Sequence, residues 1–225
     1  MTNINHELEQ TDSTVRMIAV GDIHGCAHAL ERLLAAIELT PQDTIVFLGD
    51  YMDRGPNSKR VLEIVIELSE QFQVIPLLGN HEIMMLDAVK ESITRDLWLQ
   101  FGGQQTIESY GGDFTNIPTE HLDFMRQCLP FYETEDHLFV HANYLPGSPL
   151  AGQEDQIRYW THLSDFLPGP HKSGKRVIVG HTPQTHGGIL DFGHLVCIDT
   201  YCFGGGNLTA LDIFTNKIWQ VKENE

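Results

Sequence analysis

Three times in the first ninety residues an apolar run of strand length stops at a Gly-Asp or Gly-Asn step and gives way to a helical pattern. MIAVGD (Met17 to Asp22) precedes HALERLLAAIEL, in which Leu30, Leu33, Leu34 and Ile37 recur at helical spacing. TIVFLGD (Thr44 to Asp50) precedes SKRVLEIVIELSE, and VIPLLGN (Val74 to Asn80) precedes HEIMMLDAV. Buried strands that alternate with amphipathic helices predict an α/β layered sheet, parallel in this region. In such sheets polar residues just past the strand ends gather on one edge, where ligands bind.

The rest of the chain changes character twice. Residues 90–135 read as a mostly helical insert, with Trp98, Phe101, two Gly-Gly pairs and EHLDFMRQCL. From His137 the strand signals resume as HLFVHA, KRVIVGH, GILDFG, HLVCIDT, NLTALDIF and KIWQV. Their close succession around glycine-rich turns predicts hairpins and a second sheet. The expected architecture is a β-sandwich of two mixed sheets flanked by helices. Residues 1–14 lack periodicity and are expected to form a disordered or loosely attached tail.

Charge narrows the function classes. With 14 Lys+Arg against 31 Asp+Glu the net charge is −17, a field that repels nucleic-acid backbones and anionic membranes. No apolar run approaches the roughly 20 residues of a membrane helix, and the polar start of the chain has no apolar signal core, so secretion by that route is not expected. Cys26, Cys128, Cys197 and Cys202 match neither a zinc spacing nor a disulfide framework. A cytoplasmic location follows as the expectation.

The strand ends carry the chemistry. GDIHG places Asp22 and His24 two residues apart, so an extended backbone aims both at one ion. GDYMDRG supplies Asp50, Asp53 and Arg54; GNHE supplies Asn80, His81 and Glu82; HAN supplies His141 and GHT supplies His181. Each alone is weak, since an Asp after a strand is more often a helix N-cap. Together they are five strand ends that each deliver a carboxylate, imidazole or amide. Such donors suit Mn²⁺, with Fe and Zn²⁺ also compatible. Asp22, His24, Asp50, Asn80, His141 and His181 exceed the needs of one open ion and suffice for two that share Asp50. Two cations about 3.5–4 Å apart clamp a phosphoryl displacement and activate water. Arg54 offers a planar fork for phosphate oxygens. His81, beside Asn80, points elsewhere and suits a general acid with Asp53 as its partner. Glu82 is expected in the first turn of the following helix.

These motifs, in this order from residue 21 to about 206, resemble the phosphoprotein phosphatase family of metallophosphoesterases, in its small bacterial branch. The resemblance implies a single catalytic domain over 15–225 with an insert at about 90–135. It also implies direct hydrolysis by a metal-bound hydroxide without a phosphoenzyme. It puts Asp22, His24 and Asp50 on one metal and Asp50, Asn80, His141 and His181 on the other, with Arg54 on phosphate and His81–Asp53 as the proton-donating pair. The implied substrate is a phosphoserine or phosphothreonine protein or peptide, with phosphotyrosine also within reach.

Symmetrical dinucleoside tetraphosphatases look similar, but they tend to lack the acidic residue before Arg54 and to end the third motif in GNHD. A non-catalytic metal-binding scaffold would have lost His81 or Arg54. The family's second phosphate-binding arginine is displaced here: in QIRYWTHL, Arg158 precedes Trp160 and His162 stands where arginine is expected. Either residue is a candidate for substrate binding. Asn143 beside His141, His171 and Tyr201 are weaker candidates, and Cys26 is expected to serve packing. The insert around Trp98, Phe101, Gln104 and Gln105 is a candidate pocket wall, but its aromatics are expected rather to fill a small satellite core. The acidic surface favours phosphopeptides with basic flanks, although two divalent ions add about +4 at the centre. Oligomeric state is not legible.

Overall fold

The computed structural model describes residues 15–224, and the expectation of a tail over residues 1–14 lies outside them. Strands β1 (Met17–Val20), β2 (Thr44–Phe47) and β3 (Gln73–Pro76) lie parallel, as the repeated pattern predicts. Helices α1 (Ala27–Ile37) and α2 (Ser58–Ser69) follow the first two strands, and α3 (Asn80–Lys90) follows the third. Alternation along the strands sorts the core into layers. Ile18, Val20, Ile45 and Phe47 pack with Leu30, Leu33, Val61 and Val65 of the helices. Ala19, Val46 and Leu48 face the other way, into a layer shared with Phe139, Ile178 and Val196 of the second sheet.

That second sheet has the order β4-β5-β6-β8-β7. It is formed by β4 (Tyr132–Glu133), β5 (His137–Phe139), β6 (Arg176–Val179), β7 (Leu190–Asp191) and β8 (Leu195–Cys197). Its central strands β5, β6 and β8 are parallel, so β5 and β6 deliver His141 and His181 to the same edge. Only β4–β5 and β7–β8 pair as antiparallel neighbours.

One expectation is corrected here. The last two strands, β9 (Leu208–Asp212) and β10 (Ile218–Val221), form a hairpin but leave the second sheet and complete the first, in the order β10-β9-β1-β2-β3. All five residues of β9 are buried. A strand covered on both faces belongs inside a sheet, and pairing with β1 removes an open edge beside the site.

The insert is helical, with α4 (Ser92–Trp98), a kinked turn over Leu99–Gly103, α5 (Gln104–Ser109) and α6 (Thr119–Gln127). Trp98, Ile107, Tyr110 and Met125 pack on Met52 and Met85 as a separate small core. Trp98 is fully buried there, whereas Phe101 is 48% exposed. Among the described residues no helix is long and apolar enough to cross a membrane.

Candidate metal centre

Asp22 and His24 leave the end of β1, Asp50, Asp53 and Arg54 the end of β2, and Asn80 and His81 open α3. His141 and His181 follow β5 and β6 across the sandwich. All these side chains except Arg54 are buried. The backbone bends sharply to present them: His24, Asp50, Asp53, Arg54 and His181 all have positive φ, between 47° and 70°. Five non-glycine residues in the left-handed region within one site are costly one by one, and a packed surround must hold each in place.

The donors form two groups that share Asp50. One group is His24, Asp50 and His81, and the other is Asp50, His141 and His181; Asp22, expected as a ligand, falls outside both, while His81 joins the first although its Nδ1 is taken by Asp53. Asp50 turns one oxygen to each: Oδ2 lies 3.4 Å from Nε2 of His24, and Oδ1 lies 3.4 Å from Nε2 of His141. Nδ1 of His24 donates to the Met52 carbonyl at 2.9 Å and Nδ1 of His141 to the Leu48 carbonyl at 2.7 Å. These bonds fix the tautomers, so both Nε2 lone pairs face inward. His141 Nε2 then meets Asn80 Oδ1 at 2.9 Å as well as Asp50 Oδ1. Three acceptors converge there with no proton between them, an arrangement that a cation satisfies. Asp22 Oδ1 and His181 Nε2 are also buried without a hydrogen-bond partner. The residues present therefore fit a pair of divalent ions.

Electrostatics lead to the same conclusion. Burial, reinforced by Asp199 and Asp50, raises the Asp22 carboxyl well above its ordinary range. Burial pushes Asp199 up to about 7, with Asp50 adding to the effect. Burial also depresses His24, His141 and His181, the last to about 3. For Asp50 burial acts upward but the four surrounding imidazoles outweigh it, and the carboxylate is held well below its usual value. Buried carboxylates kept from ionising beside neutral imidazoles make a centre short of positive charge, which divalent cations supply.

The sequence reading misses the supporting roles of four residues, Glu82, Trp98, Thr106 and Asp199. Glu82 does sit in the first turn of α3, but its buried carboxylate does more than face the helix dipole: it accepts from the backbone N–H groups of Asp50, Tyr51 and Gly79 at 2.9, 2.9 and 3.0 Å. It thereby ties the β2 loop to α3. Asp53 accepts from His81 Nδ1 at 2.7 Å, from Trp98 Nε1 at 2.8 Å and from Thr106 Oγ1 at 2.7 Å. Trp98 and Thr106 come from the insert, and nothing in their local sequence marks them. Asp199 had a visible signal, since HLVCIDT is one more apolar strand that ends in a carboxylate. Its Oδ2 is buried without a partner.

A cavity of about 290 Å³ opens onto this centre, bordered by Asp50, Arg54, Asn80, His81, His162 and His181. His81 turns its buried, unpartnered Nε2 away from Asp53. His162 stacks on His181 with ring centroids 4.3 Å apart. Arg158 does not border the cavity: its guanidinium bonds Asp155 at 2.5 Å, and only its carbonyl reaches the motif, accepting from Ala142 N. Other weaker candidates are likewise turned away. His171 is buried between Ser173 and the Ser148 carbonyl, and Asn143 bridges Tyr144 N and the Phe166 carbonyl. Tyr201 packs edge-on against Phe203. The Cys26 thiol is buried, and contact with Cys202 and burial push it far up, so it is a packing residue.

The sequence profile of the calcineurin-like phosphoesterases matches residues 15–210. The chain belongs to that family. It is a phosphoester hydrolase of a fold that works with a dinuclear metal centre. Over 210 residues it is 32% identical to serine/threonine-protein phosphatase 1 of Salmonella typhimurium, covering 86% of this chain and 90% of that one. A shorter stretch of 73 residues is 49% identical to a symmetrical bis(5'-nucleosyl)-tetraphosphatase of Acidovorax ebreus, covering 32% of this chain and 25% of that one. A crystal structure provisionally described as a diadenosine tetraphosphatase superposes with a TM-score of 0.72 at 25% identity, over 93% of this chain and 94% of that one. The metallophosphoesterase relatives thus agree on phosphoester hydrolysis and divide over the substrate.

Proposed function

We propose that residues 15–225 act as one catalytic domain, a two-metal phosphomonoesterase for phosphoserine and phosphothreonine in proteins or peptides, with phosphotyrosine as a lesser substrate. In this reading Asp22, His24 and Asp50 hold one ion and Asp50, Asn80, His141 and His181 the other, with Mn²⁺ the expected metal. When bound, such ions lower the pKa of water and draw charge from the phosphoryl oxygens. Arg54 and His162 flank the phosphoryl group and orient it. His81 carries a proton on Nε2 toward the leaving oxygen, while Asp53 accepts from Nδ1 and balances the imidazolium charge before transfer.

The Asp53–His81 bond is the observation that carries the substrate choice. A serine or threonine alkoxide is a poor leaving group and needs a proton as the ester bond breaks. A nucleotide leaving through a phosphate oxygen needs one far less. A buried Asp–His pair, braced by Trp98 and Thr106, is an investment in protonation that an alkyl ester requires. The identity with a serine/threonine phosphatase over nearly the whole of both chains supports the same reading.

The direct test is His81→Ala on metal-loaded protein, with a phosphothreonine peptide compared with p-nitrophenyl phosphate, whose phenolate leaves readily. The peptide rate should fall by about 100-fold or more, and the aryl rate much less. Equal losses on both would remove the general-acid role and with it the argument for an alkyl ester.

A further inference from the structure

A second depression, of about 460 Å³, adjoins the cavity over the metal centre. Arg54, Gln100, Phe101, Gln104, Gln105 and Phe203 line it, and Arg54 and Phe101 border both spaces. A group held at Arg54 therefore has a continuous path from one to the other. The insert forms most of the wall, and it is locked in place at Arg54. The Arg54 N–H donates to the Gly102 carbonyl at 3.1 Å. Gly102 has φ +112°, and a Cβ there would lie 2.6 Å from the Arg54 nitrogen. Only glycine lets the insert approach this closely.

The chemistry of the wall is specific. Arg54 is the single charged side chain among these residues, and its guanidinium lies 4.8 Å from the centre of the Phe203 ring. Three carboxamides supply donors and acceptors together, the complement of a peptide backbone. Gln104 is oriented by its bond to Glu108 at 3.0 Å. Phe101 and Phe203 supply apolar surface, and Phe101 is half exposed with no core role. The additional phosphates of a dinucleotide would find no second cation here. A neutral stretch of polypeptide finds amide partners and two rings.

Resting on the phosphoserine/phosphothreonine reading, we infer that this depression docks the substrate polypeptide next to the phosphorylated residue and selects an apolar, uncharged side chain there. The global charge of −17 predicts the opposite, a preference for basic flanks. At this distance the local wall decides, because surface charges farther than a Debye length of about 8–10 Å are screened.

The test uses the full chain loaded with Mn²⁺ and three phosphothreonine peptides that differ only in the residues on either side of the phosphothreonine: leucine, lysine or glutamate. The leucine peptide should exceed the others by about tenfold in kcat/KM, with the difference in KM. In the Gln104→Ala/Gln105→Ala double variant, kcat/KM for the leucine peptide should fall about tenfold further than that for p-nitrophenyl phosphate, which is too small to reach the wall. Gln105→Glu, at an exposed position that tolerates charge, should shift the preference toward lysine. Equal turnover of the three peptides, or a lysine preference in the wild type, would overturn the docking site and leave the phosphatase reading intact. Hydrolysis of p-nitrophenyl phosphate with no turnover of any peptide would overturn both.

Discussion

Trp98 donates its indole N–H to Oδ2 of Asp53 at 2.8 Å, and that same oxygen receives Nδ1 of His81 at 2.7 Å. A residue of the helical insert thus sets the angle at which the carboxylate meets His81, the proposed general acid. Trp98→Phe retains most of the buried volume and removes only the donor. It should lower kcat for a phosphothreonine peptide by about tenfold, less than His81→Ala does. The KM should stay near the wild-type value, and stability should fall by about 1–2 kcal/mol. Steady-state kinetics and thermal unfolding check this together. A change in KM alone would show that Trp98 shapes the binding pocket and does not orient Asp53.

Asp50 faces one group of donors with each oxygen. Asp50→Asn should therefore weaken both ions at once, and metal analysis after gel filtration in dilute Mn²⁺ should find far less than the wild-type content. His24→Ala should lower the content by the ion on its own side first. Retention of two ions by Asp50→Asn would remove the shared-ligand assignment.

Substitutions at the two candidates for the displaced arginine should differ in effect. His162 borders the cavity and Arg158 is held by Asp155. His162→Ala should raise KM for p-nitrophenyl phosphate by about three- to tenfold, and His162→Arg should lower it, since a fork grips phosphate better than an imidazole. Arg158→Ala should leave KM within about twofold, its effect confined to packing. A KM increase for Arg158→Ala larger than that for His162→Ala would reverse the assignment.

The metal-free protein should show a distinctive stability profile. In the folded state burial pushes Asp199 from 3.8 up to about 7 and Glu82 from 4.5 up to about 8. Between the unfolded and folded values the native state binds the extra protons, so stability falls as pH rises through that window. His181 acts oppositely: lowered from 6.5 to about 3, it contributes stability that is complete above 6.5 and lost as pH falls. Above pH 6.5 only the carboxylate slope remains. Unfolding temperatures in chelator should therefore decline from pH 6.5 to 8, and Mn²⁺ should flatten the decline. A flat or rising curve in chelator would contradict the assignment of protonated, charge-starved carboxylates.

The parts of this molecule that were legible in the sequence are those governed by short-range pattern. Apolar runs ending in Gly-Asp and Gly-Asn locate β1, β2 and β3 and the donors behind them, because period-2 burial and sharp strand exits are local. The partnership of β9 with β1 was not legible, since LTALD fits either sheet and only the open edge of β1 decides. Glu82 reads locally as a helix-start carboxylate, while its bonds to Asp50 and Tyr51 span about thirty residues of chain. Trp98 and Thr106 look like ordinary core and helix residues, and their role follows only from the folding of the insert onto Asp53. Phe101 lies three residues from Trp98 and reads as the same aromatic cluster, but the insert buries the indole and leaves the phenyl ring half exposed.

The central claim is tested most directly by offering a phosphothreonine peptide and diadenosine tetraphosphate side by side to protein stripped with chelator and reloaded with Mn²⁺. Turnover of the peptide, with little of the dinucleotide and none of either before metal is restored, is the predicted result. Preferential hydrolysis of the dinucleotide would contradict the account and make the Asp53–His81 pair the apparatus of a nucleotide hydrolase.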